Sequence, residues 1–178
     1  PLTPTGFAEY GQVVAFPDAH VDLDATTVAA NQGTARRLNF AAMLSNLRPV
    51  SSQVSPAARP NMVLFRCMPA ETLPLRVRLL ERHRWSTQAF MPLASTPLAT
   101  GYLVVVAQNG PDDLPDLSTL AAFRASSAQG INYNAGIWHH PMVALDQVTD
   151  FMSLVWENGL AEEDCQEVSM PVHITVDI

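Results

Sequence analysis

The sequence contains no lysine, and all ten of its basic side chains are arginine. A covalent mechanism through a lysine Schiff base is therefore excluded. Cysteine is almost as scarce, because only Cys67 and Cys165 occur in 178 residues. Two cysteines are too few for a disulfide scaffold, and this usage favours a reducing compartment, so we expect a cytoplasmic protein.

Long hydrophobic runs are also missing. The longest apolar run, Leu103–Ala107, is far shorter than the roughly 20 residues that a membrane-spanning helix needs. No cleavable leader opens the chain, although a short leader before Pro1 stays open as an alternative. Apolar residues make up 48% of the chain and charged residues 15%, which excludes a disordered protein. We expect residues 1–178 to form one domain.

Charge is distributed unevenly along a chain whose net charge is −7. Nine of the ten arginines lie between residues 34 and 84, where only Glu71 and Glu81 oppose them. A basic band inside an acidic protein fits a small anionic ligand and does not fit a nucleic-acid surface. The alternative is that most of these arginines lie on solvated faces of strands.

Fourteen scattered prolines favour many short segments over long helices. A short helix is predicted at the start of the chain, with Thr3 as its N-cap and Pro4 in its first turn. A second helix is predicted over Pro115–Arg124 from apolar residues at helical spacing. Elsewhere the pattern predicts a turn at residues 31–33 and short strands at Gln12–Phe16, Met62–Cys67, Leu75–His83, Gln88–Leu93, Tyr102–Gln108, Met142–Leu145, Val148–Val155, Cys165–Val168 and His173–Val176. Many short strands with one or two peripheral helices predict an all-β barrel or sandwich.

The segment Leu75–His83 carries the first candidate site. Apolar and polar residues alternate along it, so that Glu81 and His83 continue a face that begins as core. Burying these two groups unpaired would cost several kcal/mol, so a ligand, a metal or mutual hydrogen bonding must offset the cost. The alternative is that the strand ends at Glu81 and both groups are solvated.

The spacing around this pair matches a known motif. Glu81-x-His83-x4-Gln88 has the spacing of the first cupin motif, His-x-His-x4-Glu, and Gly136-x2-His139 matches the core of the second. In cupins these four side chains converge inside a double-stranded β-helix, or jelly-roll, barrel and hold a divalent metal. Metal occupancy stays open here, because the amide oxygen of Gln88 is a poor donor for transition metals.

The three remaining histidines are assigned to other surroundings. His140 adjoins His139 and should point to the opposite face of an extended strand, towards the outside or a subunit contact. His20 and His173 stand alone in the sequence and are predicted to lie at the surface.

Several blocks of the sequence occur in the order found in one enzyme family. They are Leu2–Pro4, Tyr10–Gly11, Asn31-x-Gly33, Leu80–His83, Thr87–Leu93, Pro115–Leu117, Gln129–Tyr133 and Trp138–Pro141. These blocks resemble those of the ureidoglycolate lyase family, and the run Asn158–Glu167 resembles its fungal branch. Arg84-Trp85-Ser86 departs from the family's usual Pro-x-Gly turn.

The resemblance implies a cupin-like homodimer that cleaves (S)-ureidoglycolate to glyoxylate and urea in allantoin (purine) degradation. It also suggests nickel as the metal, since bacterial members are described as using it. The expected mechanism has His83 removing the carbinol proton while Glu81 orients it, and His139 or a water protonating the departing urea. If a metal is bound, His83 becomes a ligand instead, together with Glu81, Gln88 and His139.

Substrate contacts are expected from side chains near these blocks. Arg66, in the basic band, is the candidate for gripping the substrate carboxylate, and the alternative is that it only pairs with a neighbouring acid. Asn132 is the candidate for the ureido group. Gln88, Tyr133 and Trp138 complete the expected substrate-binding residues. Two other functions stay open: a metal-dependent cupin enzyme of another reaction type, and a non-catalytic cupin that binds a small carboxylic acid.

Overall fold

The computed structural model describes residues 1–17, 27–49, 55–93 and 101–177. Its two short helices are α1 (Pro4–Phe7) and α2 (Ala161–Asp164). The strands are β1 (Gly11–Val14), β2 (Thr27–Ala30), β3 (Ala35–Leu38), β4 (Arg59–Cys67), β5 (Leu75–Arg82), β6 (Gln88–Pro92), β7 (Tyr102–Asn109), β8 (Pro115–Ala125), β9 (Gly130–Tyr133), β10 (Trp138–His139), β11 (Val143–Ala144), β12 (Thr149–Glu157) and β13 (Gln166–Val176). No described helix has the length and apolar character needed to cross a membrane.

Two large antiparallel sheets form the body of the fold. The first has five strands in the order β1-β9-β6-β12-β4. The second has six strands: β11-β7-β10-β5-β13 follow one another, and β8 pairs with β7 along the length of that strand. The small β2–β3 hairpin closes through a 3₁₀ turn at Asn31–Gly33, where the sequence predicts a turn. This architecture confirms the expected all-β cupin-like barrel.

The main core lies between the two large sheets, because side chains from both contribute to it. Phe90, Ile131, Tyr133 and Phe151 come from the five-stranded sheet. They pack with residues of the six-stranded sheet, namely Tyr102, Val104, Val106 and Ala125. The ring of Phe7 in α1 joins this core and meets Phe123 edge to face, so the first helix seals one end of the barrel.

A second cluster lies on the other face of the six-stranded sheet. Alternation along β7 directs Leu103, Val105 and Ala107 away from the main core, and these residues are buried with Leu80 and Trp138. Strand β7 is therefore buried on both faces, which explains why it reads as a continuous apolar run.

The first predicted helix is confirmed. Strand β1 of the structure begins only after it, and the Thr3 hydroxyl accepts a hydrogen bond from the Gly6 amide at 3.1 Å. This contact satisfies one of the amides that a helix leaves unpaired at its first turn.

The predicted helix at Pro115–Arg124 is wrong, because this segment is strand β8. It pairs with β7 from Asn109↔Pro115 to Tyr102↔Ala125, and its Phe123 packs against Phe7. The helical spacing of its leucines is overridden by the hydrogen bonds that an apolar neighbouring strand offers along its whole length. The two strands predicted at Cys165–Val168 and His173–Val176 belong to one strand, β13. His20 and the side chain of His173 lie outside the described residues.

Candidate active site

Three adjacent strands bring polar side chains together on the inner face of the six-stranded sheet. Glu81 on β5 lies directly opposite His139 on β10 and opposite Glu167 on β13. Residues paired across an antiparallel sheet share a face, so these three side chains form a row. His83 lies two residues after Glu81, and Cys165 lies two residues before Glu167. Both side chains therefore extend the same face towards the end of the barrel.

The pairing of His139 shows that this face points into the barrel. His139 lies opposite Val106, which belongs to the main core, whereas Trp138 lies opposite Ala107 in the outer cluster. The ring of His139 also stacks on Tyr133 of the facing sheet, with 4.1 Å between ring centroids. The sequence-based prediction that His139 faces inward is therefore confirmed by its neighbours.

Backbone carbonyls fix the orientation of both histidine rings. His83 Nδ1 lies 2.6 Å from the carbonyl oxygen of Asp164, and His139 Nδ1 lies 3.0 Å from that of Ile137. A carbonyl can only accept, so Nδ1 of each ring donates its hydrogen to that carbonyl, and Nε2 is the ring atom left to face the site. Both Nε2 atoms are buried without a hydrogen-bond partner. The pair thus offers two oriented basic nitrogens.

Glu81 contacts His139 rather than His83. Its Oε1 lies 3.5 Å from His139 Nε2, while the imidazole rings of His83 and His139 stack at 5.9 Å between centroids. The expectation that Glu81 orients His83 is therefore replaced by a different arrangement. The Asp164 carbonyl orients His83, and Glu81 supports His139.

Gln88 lies on the neighbouring part of the facing sheet. It pairs with Tyr133 across β6 and β9 and therefore shares the face of that ring, which stacks on His139. Its side chain is buried, and Oε1 has no hydrogen-bond partner. A buried amide oxygen without a partner is rare in native proteins unless a ligand satisfies it.

Burial dominates the electrostatics of His83. Burial and the proximity of His139 lower its pKa from 6.5 to about 4, although the Asp164 carbonyl and Glu81 act in the opposite direction. From the sequence alone, Glu81 should favour the charged imidazole and hinder a base. The structure shows that desolvation outweighs this attraction, so His83 is neutral at pH 7 and able to accept a proton.

The carboxyl of Glu81 responds differently. Burial raises its pKa, but the contact with His139 and the proximity of His83 outweigh this effect, and the net pKa lies below its ordinary value. Glu81 is therefore ionised at neutral pH. Burial, followed by the nearby Glu81 and Glu167 carboxylates, raises the pKa of the Cys165 thiol to about 12. Cys165 is therefore a protonated thiol in this environment and not an activated nucleophile.

Three of the expected substrate-binding residues are not brought to this cluster. Trp138 points to the outer face, where its ring stacks under the Arg82 guanidinium. Asn132 alternates with Tyr133 and donates instead to Gln12 Oε1 at 2.6 Å. Arg66 forms a two-pronged ion pair with Asp150, and its side chain is 73% exposed.

The loop before α2 and the loop before β4 hold Asp164 in place. Its carboxylate accepts hydrogen bonds from the amides of Asn158 and Gly159. It also forms an ion pair with Arg48, which bonds Glu163 as well. Because the carbonyl of Asp164 orients His83, this network positions the imidazole from outside the barrel.

Sequence reasoning missed Cys165, Glu167 and the Asp164 carbonyl as parts of the site. They reach it only because β13 pairs with β5 across more than 80 residues of chain. Their signal in the sequence was alternation, since Cys165 and Glu167 are two residues apart and share a face. His140 is half-buried, with Nδ1 2.7 Å from its neighbour's carbonyl at Pro141, and its role at a subunit contact stays a prediction.

The fold and this cluster define an all-β cupin-like barrel whose inner face carries two oriented imidazoles and a carboxylate. A family model described as "Ureidoglycolate lyase" matches residues 1–177. The chain belongs to the ureidoglycolate lyase family. The match spans nearly the whole chain, and the organisation as one domain stays a prediction.

Curated relatives agree with this assignment. A protein named ureidoglycolate lyase from Schizosaccharomyces pombe is 36% identical over 99% of this chain and 94% of its own length. Proteins of the same name from Burkholderia mallei and Saccharomyces cerevisiae are 38% and 34% identical, over 96% and 93% of this chain and over 87% and 90% of their own lengths. A solved dTDP sugar isomerase from Desulfovibrio desulfuricans aligns with a TM-score of 0.39 at 13% identity, over 80% of this chain and 78% of its own, which is too distant to support an argument.

Proposed function

We propose that this protein is a lyase that cleaves (S)-ureidoglycolate to glyoxylate and urea, as a step of allantoin degradation. The observation that carries the proposal is the inner-face cluster of Glu81, His83 and His139, with both imidazole Nε2 atoms unpartnered, in a chain of the ureidoglycolate lyase family. The cluster supplies the proton-transfer groups that this elimination requires.

The reaction is an elimination at one carbon that carries a carboxylate, a hydroxyl and a ureido group. A base removes the hydroxyl proton, and the electron pair of that O–H bond forms the C=O bond of glyoxylate. The C–N bond breaks, and its electron pair stays on the ureido nitrogen. That nitrogen takes up one proton, so urea leaves neutral and no oxidant or water is consumed.

His83 is the base in this proposal. Its Nε2 is buried and free, and its lowered pKa of about 4 keeps the ring neutral at physiological pH. The Asp164 carbonyl holds the Nδ1 hydrogen, so the proton of the substrate can arrive only at Nε2.

His139, holding a proton at Nε2, delivers it to the departing urea nitrogen, and the proton that His83 takes up replaces it before the next turnover. Its Nε2 lies beside the ionised Glu81 carboxylate, which stabilises the imidazolium form while the proton is held there. Gln88 Oε1, buried and unpartnered, accepts a hydrogen bond from the ureido group. The stacked ring of Tyr133 keeps His139 in its plane and closes one wall of the site.

The residue types of this cluster suit a divalent metal, although the described His, Cys, Asp and Glu ligand atoms that lie within 4.8 Å of one another are those of Glu81, Cys165 and Glu167 and not those of the two histidines. Two imidazole nitrogens with their Nδ1 hydrogens anchored to carbonyls have the orientation of metal-binding histidines, and Glu81 and Gln88 add oxygen donors. Imidazole suits nickel among the divalent metals. When bound, the ion would lower the pKa of the substrate hydroxyl. His83, His139, Glu81 and Gln88 would hold it.

The test is the release of products from (S)-ureidoglycolate, measured before and after treatment with a chelator. We expect glyoxylate and urea in equal amounts. Activity that is lost on chelation and restored by Ni²⁺ would support the metal-bound form, and unchanged activity would support the side chains alone. Ammonia in place of urea, or no glyoxylate at all, would contradict the proposal. The (R)-enantiomer serves as the control for a non-specific reaction.

We further propose that the protein is a homodimer and acts in the cytoplasm. Support for the dimer comes from strand β4, at the edge of the five-stranded sheet, where Met62 and Leu64 are 68% and 70% exposed on one face. Adjacent exposed apolar side chains on an edge strand favour association with a second copy. Light scattering should show a dimer, and Leu64→Glu should shift it to a monomer.

Support for the cytoplasm is that Cys67 and Cys165 are both free.

A further inference from the structure

A second group of donor atoms surrounds the carboxylate of Glu81. The ligand atoms of Glu81, Cys165 and Glu167 all lie within 4.8 Å of one another. We call these three residues the Cys165 cluster. The thiol of Cys165 lies 4.0 Å from Oε2 of Glu81. Neither Cys165 nor Glu167 belongs to the set that the cupin spacing predicts.

The sheet register explains why these side chains meet. Glu167 pairs directly with Glu81, and Gln166 pairs with Arg82. Cys165 lies two residues before Glu167 and therefore projects from the same face, one step closer to the open end of the barrel. The cluster is thus built into two paired strands and does not depend on the position of a loop.

A buried imidazole nitrogen points at the same carboxylate from the other side. His139 is only 2% exposed, its Nε2 has no hydrogen-bond partner, and it lies 3.5 Å from Oε1 of Glu81. The two oxygens of Glu81 therefore have different neighbours, a thiol at Oε2 and an imidazole at Oε1. Sulfur, imidazole nitrogen and carboxylate oxygen are the three donor types that bind Zn²⁺ in proteins.

The charge of the cluster favours a cation. Within the described part of the chain, no ion pair joins Glu81 or Glu167 to an arginine. Two carboxylates this close repel each other unless a positive charge lies between them. The arginines nearest in sequence do not supply it, because Arg82 and Arg84 both pair with Asp113.

We propose that Glu81, Cys165 and Glu167 form a binding site for a thiophilic divalent cation such as Zn²⁺. The thiol distinguishes this site from one for Mg²⁺ or Ca²⁺, which prefer oxygen ligands alone. Binding replaces the S–H bond of Cys165 with a metal–sulfur bond, and the proton passes to the buffer.

This cation position is distinct from the one proposed for the reaction, which uses His83 and Gln88 and does not use sulfur. The two share Glu81, so they cannot be filled together. Zn²⁺ in the Cys165 cluster would withdraw the Glu81 carboxylate from His139 and so inhibit turnover. That consequence rests on the proposed function, whereas the binding itself does not.

The experiment follows bound metal and not turnover. Chelator-treated protein is titrated with Cd²⁺ while the ultraviolet charge-transfer absorption of the thiolate–cadmium bond is recorded, and with Zn²⁺ by calorimetry. We expect one equivalent of each metal to bind, with the absorption band present. Cys165→Ser should remove the band, and Glu167→Gln should weaken both metals by roughly 10–100-fold.

Cys67→Ser is the matched control, since Cys67 is also a free, half-buried thiol, and it should leave the band and affinity unchanged. Glu167 is exposed, so Glu167→Gln tests the site without threatening the fold. A wild-type protein that binds no Cd²⁺, or that binds it without the thiolate band, would overturn the proposal. A band that survives Cys165→Ser would overturn it as well. None of these outcomes depends on ureidoglycolate cleavage.

Discussion

Both faces of strands β5 and β10 carry polar side chains, but the two faces differ in how fully these side chains are hydrogen-bonded. On the outer face, each nitrogen of the Arg82 guanidinium has a partner: Gln166, Asn109 and Asp113. The indole of Trp138 lies against that guanidinium and donates to Asn109. On the inner face, one residue further along each strand, the Nε2 atoms of His83 and His139 have no partner.

The difference separates a structural polar cluster from a functional one. A saturated network such as that of Arg82 stabilises the sheet and has no free group to offer a ligand. Buried nitrogens without a protein partner on the inner face are costly unless a ligand or an ordered water satisfies them, so they are available to bind a substrate. Substitutions on the outer face should therefore change stability, and substitutions on the inner face should change chemistry.

The largest expected effect is the loss of the inner-face base. His83→Ala removes the only proton acceptor held by the Asp164 carbonyl, so kcat should fall by about 10²–10⁴-fold. The variant also loses the hydrogen bond from Nδ1 to the Asp164 carbonyl, so we expect the free energy of unfolding to fall by about 1–3 kcal/mol, and turnover is expressed per folded molecule. Steady-state kinetics and thermal unfolding of the same preparation test both statements. Near-normal turnover would contradict the assignment and move the chemistry to His139.

The free energy of unfolding, measured over a series of pH values, should show how much stability is lost because the buried His83 stays neutral in the folded protein. Its pKa is about 4 in the folded protein and about 6.5 in the unfolded chain. Between these values the unfolded state binds more protons, so the free energy of unfolding falls as pH falls through this window and is unaffected above it. The loss approaches roughly 3 kcal/mol below pH 4.

The comparison uses chelator-treated wild type and His83→Gln, unfolded with urea between pH 7 and pH 4. Wild type should lose stability relative to His83→Gln as pH falls from 7 to 4, because only wild type carries this titration. Parallel curves for the two proteins would show that His83 is not desolvated as the structure indicates.

Alternation and motif spacing were sufficient to predict the inner-face histidines. The periodicity of Leu75–His83 placed Glu81 and His83 on one face, and the adjacency of His139 and His140 implied that only one of them faces inward. The same rule applied to Asn132 and Tyr133 would have separated them, as the structure does. Treating these two as one substrate-binding pair ignored that alternation.

Long-range pairing could not be predicted in this way. The proximity of Glu167 to Glu81 depends on the register of β13 against β5, which no local pattern encodes. The helix prediction for the β8 segment was wrong for a related reason. Its leucine spacing fits a helix, but its pairing with β7 decides the structure. A local signal was available there: Asn109-Gly110 begins a turn in which the Gly110 amide bonds the Leu114 carbonyl.

A substitution on the outer face should lower stability more than turnover, which is the reverse of what we expect for His83→Ala. Arg82→Met keeps much of the packing against Trp138 but leaves the Gln166 oxygen without its donor and removes one of the two donors to the Asn109 oxygen. We expect a loss of about 1–3 kcal/mol in the free energy of unfolding, with turnover per folded molecule little changed. Urea unfolding and active-site-normalised kinetics measure the two quantities. A loss of turnover at unchanged stability would contradict the division between the faces.

The smallest effect is expected at Arg66, which the sequence had suggested as the carboxylate anchor. The structure places it on β4 in an ion pair with Asp150, with the guanidinium exposed to solvent and its pKa raised, first by the hydrogen bond to that carboxylate and then by its charge. Exposed ion pairs contribute little, so Arg66→Ala should leave the free energy of unfolding almost unchanged. KM and kcat should stay at wild-type values, since the side chain lies on the face of the sheet opposite Phe65 and the main core. Arg66→Glu, which repels Asp150, provides a stronger version of the same test. A rise in KM with either variant would show that the carboxylate of the substrate reaches Arg66, and it would extend the functional surface beyond the inner face of the barrel.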